Sequence, residues 1–273
     1  MKIRNFRNLQ PLDPEPETLY PLGMYRFYLP SLATAPGGSL CLPLDQGHHA
    51  RSVLRLAPGE PIILFDGRGA WAPAIIAGAP GAKLKEQVLL SLTGAITTDP
   101  PPSPVLTIAT AVPKADRADW LIEQASQLNV ACIQWLDSDR SVVKPKEGTQ
   151  KMDKWRRHAI ESAKQCHRTH LLGINAPASL TALLEAAIAG TLILWLDPAP
   201  ENSRPVRQVL SNGGEGKGKI LALIGPEGGW SPREYAMLSE LATENKLVRV
   251  HLTGTILRIE TAVAALAAII MTA

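Results

Sequence analysis

Two short stretches in the last third of this 273-residue chain hold the residues with most capacity for chemistry. The first runs Ile220-Leu221-Ala222-Leu223-Ile224-Gly225-Pro226-Glu227-Gly228-Gly229-Trp230-Ser231-Pro232-Arg233-Glu234. An apolar run of strand length breaks at Gly-Pro-Glu-Gly-Gly. A helix then opens with Ser231 as N-cap, Pro232 at its first position and Glu234 three residues after the cap, a capping box with a pre-set φ. Gly225, Gly228 and Gly229 let the backbone come close to a ligand. Ligands of open α/β sheets bind beyond the carboxyl ends of the strands, so this loop is the first candidate site; taken alone, it reads equally as a tight strand-to-helix turn. The second stretch, Val250 to Ala262, repeats the arrangement. A strand ends, a Gly/Thr loop containing Gly254 follows, and a helix begins with Arg258 and Glu260 in or near its first turn. The helix macrodipole favours an acid there and gives Arg258 nothing. The arginine therefore calls for a ligand or carboxylate partner, or for a surface ion pair with Glu260 or Glu227.

The elements that must position these loops follow from the pattern upstream. Residues 1–22 carry several prolines and mixed charge and read as an N-terminal arm. Residues 23–96 are rich in short strands, at Tyr25–Leu29, Pro61–Phe65, Ala70–Ile76 and Gln87–Leu92, with a short helix in Gln46–Leu56. Asp66-Gly67-Arg68-Gly69 is a hairpin signal and Gly37-Gly38 a turn, and the set suggests a small β-barrel. Residues 97–104 form a Pro-rich linker. From residue 105 to 273 strands alternate with helices: strands at Val105–Ala111, Val130–Leu136, Leu192–Leu196, Ile220–Ile224 and Leu247–Leu252. The helices fall at Ala115–Leu128, Lys151–Arg168, Ser179–Ala189, Arg204–Leu210, Pro232–Leu241 and Ile256–Met271. That alternation predicts an α/β domain with a mainly parallel sheet covered on both faces. The first strand leads into Val112-Pro113-Lys114-Ala115-Asp116-Arg117, which has no glycine. A dinucleotide fold, or the commonest methyltransferase fold, needs a Gly-rich turn at that point, so both are disfavoured. Asn212 to Gly218 precedes its strand and reads as a surface loop, not a phosphate loop.

Composition narrows the class. Hydrophobic residues make up 45% and aromatic residues 5% of the chain, as in a globular protein with an aliphatic core. Cys41, Cys132 and Cys166 are too few and scattered for a disulfide framework. No signal peptide or membrane span is expected, because the longest apolar run, Ile259 to Met271, is interrupted by Glu260 and Thr261. A cytoplasmic protein is the expectation. His158, Cys166, His167 and His170 lack the paired spacing of a zinc site, and no metal is expected. Net charge is only +3, so local clustering must decide on nucleic acid. Lys151, Lys154, Arg157, Lys164 and Arg168 recur at helical spacing and would track a phosphate backbone, or be a solvated helix face. Arg26, Arg51, Arg55 and Arg68 would form a second basic surface on the barrel.

GPEGG with a Ser-Pro-x-Glu helix start, followed by ILR-x-ETA opening an Ala-rich C-terminal helix, resembles the RsmE family of 16S ribosomal RNA (uridine-N3) methyltransferases, in the knotted SPOUT superfamily. Further matches are Asp119 to Ala125, Asp139-Arg140-Ser141, Glu161 to Arg168, and, in the first domain, Arg26-Phe27-Tyr28, His48-His49 to Leu54-Arg55 and Leu64-Phe65-Asp66-Gly67. The chain departs from the family pattern at Gln127-Leu128-Asn129, at Leu252-Thr253-Gly254-Thr255 and at Ile259. The resemblance implies a PUA-like β-barrel that holds RNA and a SPOUT trefoil-knot domain that binds S-adenosylmethionine, acting as a homodimer on 16S ribosomal RNA or the small ribosomal subunit. It implies one cofactor wall from Leu196, Ile224, Gly225, Gly228 and Gly229. The other wall would come from Leu252, Gly254, Ile256, Leu257, Glu260 and Thr261. Uridine N3 is protonated at neutral pH and must approach a sulfonium methyl in line, so positioning carries much of the rate. A cation near the uracil carbonyls would stabilise the developing anion, which suits Arg258 or Arg140. A carboxylate that accepts the proton or holds an arginine suits Glu227 or Glu260. RNA contacts are expected from Arg26, Arg55, Arg68, Lys154, Arg157, Lys164 and Arg168. Two other readings stay open on the sequence: a SPOUT methyltransferase for another RNA, and a non-catalytic RNA-binding ribosome-assembly protein.

Overall fold

The computed structural model describes residues 24–32, 40–78, 87–114, 116–144, 146, 148–187, 190–212 and 218–273. The expected N-terminal arm, the Gly37-Gly38 turn and most of the Asn212–Gly218 loop lie outside them.

The first sheet holds β1 (Tyr25–Tyr28), β2 (Leu40–Cys41), β3 (Pro61–Phe65), β4 (Ala70–Gly78), β5 (Leu89–Leu92) and β6 (Thr97–Thr98). Its order is β1-β3-β4-β5-β2, with β6 paired to β4. Phe27, Ile62, Leu64, Ala72, Ala74 and Leu90 pack a core under it. The β3–β4 turn is set by Asp66, whose Oδ1 accepts from the N–H groups of Arg68 (2.7 Å) and Ala70 (3.0 Å). Gly67 and Gly69 there have φ of +79° and +105°. The helix expected over Gln46–Leu56 is shorter and mixed. α1 (Leu44–His48) runs into a wide π turn, His49–Val53, in which Leu54 bonds back to His49 O, and Arg55 at φ +57° ends it. The expected linker is also part sheet: Thr97 and Thr98 face Trp71 and Ala70, and Asp99 N–H reaches Gly69 O. Pairing stops at Pro100, because Pro100, Pro101 and Pro102 have no N–H to donate.

The second sheet is parallel throughout, in the order β11-β13-β10-β12-β7-β8-β9. Its elements run β7 (Val105–Thr110), α2 (Arg117–Gln127), β8 (Cys132–Leu136), α3 (Gln150–Gln165), β9 (Gly173–Ala178), α4 (Leu180–Ala187) and β10 (Leu192–Leu196). They continue with β11 (Arg204–Pro205), α5 (Val206–Asn212), β12 (Lys219–Ile224), α6 (Pro232–Thr243), β13 (Val248–His251) and α7 (Ile259–Met271). Apolar cores line both faces: Leu106, Ile108, Ala222 and Val250 pack with α2 and α7, whereas Ala109, Trp195, Leu221 and Leu223 pack with α4 and α6. Several boundaries differ from expectation. β9 is an addition to the expected strands, since Asn175 and Pro177 interrupt its apolar pattern; an edge strand that pairs only with β8 tolerates both. Arg204 and Pro205 form a strand before α5 begins. α3 stops at Gln165, since His167 has φ +62° and cannot continue a helix. α7 starts at Ile259, not Ile256.

β13 lies beyond β10, away from β12, yet the helix that follows it packs on α2, β7 and β12. The end of the chain therefore runs back across the sheet. Between the sheets Asp99 is a clasp. Its carboxylate accepts from Trp71 Nε1 (3.1 Å) and Thr169 Oγ1 (2.6 Å), while Leu171 N–H bonds to Gly67 O (2.9 Å).

Candidate active site

β10, β12 and β13 belong to one parallel sheet, so the loops that leave Leu196, Ile224 and His251 emerge at the same edge. The middle loop is the most firmly built. Ser231 Oγ accepts from Glu234 N–H (3.2 Å), and Glu234 Oε2 accepts from Ser231 N–H (2.9 Å), completing the expected capping box. Glu234 is 3% exposed and also accepts from Ser138 Oγ and from Asp139 N–H, both at 3.1 Å. Asp139 in turn accepts from Ser231 Oγ (2.6 Å) and Arg233 Nη2 (3.0 Å). These bonds, the Ser231 hydroxyl first, hold its carboxyl below the usual aspartate range. The turn after β8 is thus riveted to the start of α6. Arg140, from that turn, donates to Gly228 O at 2.8 Å. Gly229, at φ +71°, closes the loop by donating to Pro226 O. Gly225 is needed for space: a Cβ there would stand 3.0 Å from the Trp230 indole.

The carboxylates find an unexpected partner. Glu227 does not pair with Arg258. Its Oε1 accepts from Arg117 Nη1 at 3.1 Å, and Lys114 Nζ lies 3.9 Å from its Oε2. The same Arg117 nitrogen is 3.8 Å from Glu260 Oε1. Glu260, in the first turn of α7, is 7% exposed, and its Oε2 has no hydrogen-bond partner among the described residues. Arg258 is the N-cap residue of α7, is exposed, and makes no ion pair among the described residues. Arg117, which bridges the two carboxylates, carries no motif signal in the sequence, where its turn is notable only for its lack of glycine. An arginine at the first position of α2 was itself a signal, since the macrodipole opposes it there as it does near Arg258.

The remaining cofactor candidates divide by exposure. Ile224 is buried, and Leu196, Leu252 and Leu257 are half-buried, forming an apolar floor. A Cβ added at Gly254 would meet no atom within 4 Å, so the space beside it is open. Ile256 is 85% exposed, and Thr261 is exposed on α7. Among the described residues the Thr253 and Thr255 side chains bond only within this pair: Thr253 Oγ1 donates to Thr255 O (2.9 Å) and accepts from Thr255 N–H (3.3 Å).

Three of the seven basic residues expected at RNA are turned inward, which corrects that expectation. Arg26 is 4% exposed, with its guanidinium 5.4 Å from the Phe65 ring centre. Lys164 reaches across the joint between the sheets to Gln46 Oε1 (3.3 Å) and lies over Phe27. Arg168 lies past the end of α3 and donates to the carbonyls of Ser126 (2.9 Å) and Val130 (3.1 Å); burial lowers its pKa to about 10, leaving it charged at neutral pH. Helical spacing marks the side of α3 on which Lys164 lies but not what packs against it. Lys154, Arg157, Arg55 and Arg68 are exposed. Lys154 pairs with Asp119 (2.6 Å), and Arg68 donates to Pro30 O (2.9 Å). Among the described residues no three His, Cys, Asp or Glu side chains converge as metal ligands, and no helix is long and apolar enough to cross a membrane. Burial pushes the Cys132 thiol up to about 11, so it stays protonated and unreactive.

Comparison with known proteins bears on this arrangement. Residues 100–271 match the family described as RNA methyltransferase domain, and residues 42–86 match the RNA methyltransferase PUA domain. The chain is 28% identical over 246 residues to ribosomal RNA small subunit methyltransferase E of Mycobacterium tuberculosis, covering 87% of each chain. It is 30% identical to the Synechocystis protein of the same name, covering 73% of this chain and 63% of that one. In structure it is similar to ribosomal RNA small subunit methyltransferase E of Neisseria gonorrhoeae bound to S-adenosyl methionine. The TM-score is 0.76 at 26% identity, over 91% of this chain and 97% of the other. A Legionella pneumophila protein in complex with the same cofactor gives a TM-score of 0.75 at 27% identity, over 91% and 97%. With the family matched across the whole α/β sheet and its PUA partner matched before it, the chain belongs to the RNA methyltransferase family, in the RsmE group that its two C-terminal motifs resemble.

Proposed function

We propose that the protein methylates N3 of a uridine in 16S ribosomal RNA, with S-adenosylmethionine as methyl donor. One observation carries this reading. Three loops meet at one edge of the parallel sheet, with two carboxylates, Glu227 and Glu260, bridged by Arg117 between them and, at their rim, Arg258 without an ion pair among the described residues.

The residues fit the cofactor chemically. Its adenosine needs an apolar floor and close backbone, which Leu196, Ile224, Leu252 and Leu257 and the glycines at 225, 228, 229 and 254 can supply. Its cationic centres suit a site holding two carboxylates, one of which, Glu260, keeps a buried oxygen without a partner among the described residues. When bound, S-adenosylmethionine supplies the electrophilic methyl group. The chain's own residues would do the rest. Arg258 is free to stabilise negative charge on the uracil carbonyls as the N3 proton leaves. Arg140, held on Gly228 O, would present a second cation from the opposite side of the loop. Glu227 is the more exposed carboxylate and would take the N3 proton, with Arg117 orienting it.

The division of labour follows the two sheets: residues 23–96 hold RNA through the barrel, residues 97–104 join it to the catalytic domain, and residues 105–273 carry out methyl transfer. Arg55, Arg68, Lys154 and Arg157 remain as the phosphate contacts. A homodimer would form through α2 and α7, where Trp120 is 44% exposed and Ala264, Ala265 and Ala268 leave a low, half-buried surface. Methylation would take place in the cytoplasm, where the ribosomal subunits lie.

Isothermal calorimetry with S-adenosylmethionine tests the enzyme reading, since the non-catalytic alternative has no need of the cofactor. Saturable binding is expected, and no heat even at high cofactor concentration would refute it. Arg258→Ala should keep the cofactor affinity and lower methyl transfer about a hundredfold or more; full activity in that variant would remove the role assigned to Arg258.

A further inference from the structure

Arg249 belongs to none of the motifs that mark the site, yet it touches the base of all three loops. It lies in β13 directly across the ladder from Trp195 of β10. Its guanidinium carbon is 4.7 Å from the centre of the Trp195 ring and 5.4 Å from that of Tyr235. Its Nε donates to Asp197 Oδ2 at 2.8 Å, and its Nη2 pairs with the same carboxylate and donates to the Tyr235 hydroxyl. Asp197 is 7% exposed, and its other oxygen accepts from Ala199 N–H at 2.8 Å.

Each partner stands at a loop base. Asp197 is the first residue after β10. Tyr235 is in the first turn of α6, just past the Gly225–Ser231 loop. Arg249 itself stands in the strand that runs into Leu252. A second tie, Ser203 Oγ to His251 Nδ1 at 2.8 Å, fastens the far end of the first loop to β13.

The chemistry of the cluster is specific to arginine. A planar fork satisfies one carboxylate through two nitrogens while its flat face stacks on aromatic rings; a lysine ammonium can do neither. Burying such a pair costs desolvation that an apolar pair would avoid, so its return is geometric definition more than stability. We propose that Arg249 is a positioning residue: through Asp197 and Tyr235 it sets the spacing of the three loops and thereby the affinity for S-adenosylmethionine. This rests on the reading of the site given above.

Arg249→Lys keeps the charge and loses the fork. The full-length variant should be folded by circular dichroism and bind S-adenosylmethionine about tenfold more weakly by calorimetry. Its KM for the cofactor should rise by a similar factor, with kcat at saturating cofactor within about threefold of the parent. Tyr235→Phe removes one hydroxyl from a side chain that is 40% exposed, which spares the fold, and should weaken binding roughly threefold. If Arg249→Lys does not fold, Tyr235→Phe alone decides. Parental affinity in the folded variants would overturn the positioning role while leaving the cofactor site intact. A parent protein that fails to bind S-adenosylmethionine would instead overturn the reading of the site itself.

Discussion

The loop after β12 and the loop after β13 look alike in sequence, each a strand end, a glycine and a helix start, but they are held very differently. The first is anchored from four directions: by its own capping box, by Asp139 and Ser138, by Arg140 on Gly228 O, and by Trp230 packed over Gly225. In the second, Thr253, Gly254, Thr255 and Ile256 are all exposed, and the side-chain bonds of Thr253 and Thr255 stay inside the loop. On the proposed reading these two loops are the walls of one cofactor pocket, one held by many bonds and the other by few, with the exposed Arg258 at the end of the lightly held one. The departures at Thr253 and Thr255 fall in the light wall, where a changed side chain disturbs little else.

The contrast can be broken most forcefully at Glu234. Its carboxylate serves three donors in the fixed wall, so Glu234→Ala should cost about 3 kcal/mol by urea unfolding and weaken cofactor binding as well. Gly225→Ala comes next. The added methyl meets the indole at 3.0 Å, and Trp230 must shift, at about 1–3 kcal/mol. Acid should loosen the same wall. The Asp139 carboxyl is lowered in the folded state, so its contribution is complete above the ordinary aspartate range, near pH 4, and is lost as pH falls below it. Asp139→Asn should flatten that acid limb in a thermal-unfolding series. The smallest effect belongs to the light wall: Thr253→Ala should change stability by no more than about 0.5 kcal/mol. A larger loss would mean that the second loop is as firmly built as the first.

The two walls are also unequally legible in the sequence. The fixed wall announces itself, because a capping box and a glycine-dense turn are demands that local backbone places on residue type. Its attachment to the turn at Asp139 is not visible there, since Glu234 and Ser138 are far apart in the chain and only the sheet order brings them together. Arg117 escapes for the same reason: its carboxylates lie far along the chain, Glu227 being 110 residues away. Only the macrodipole argument that exposes Arg258 would have singled it out. Arg26, Lys164 and Arg168 show the opposite failure. Lys164 and Arg168 continue a helical spacing that suggests a surface, whereas the joint between the sheets covers the first and the end of α2 with its following loop covers the second; Arg26, in β1, is buried beside Phe65. Strand β9 is hidden by Pro177, and β6 by the prolines that follow it. The return of α7 across the sheet has no signature in periodicity at all and follows only from family resemblance.

On the proposed function, this site transfers a methyl group to uridine N3 of 16S ribosomal RNA. Mass spectrometry of nuclease fragments from small subunits of a strain lacking this protein, incubated with the purified protein and S-adenosylmethionine, tests it directly. One fragment should gain a single methyl group, on N3 of one uridine. Unmodified RNA, or a methyl group on another base or atom, would contradict it.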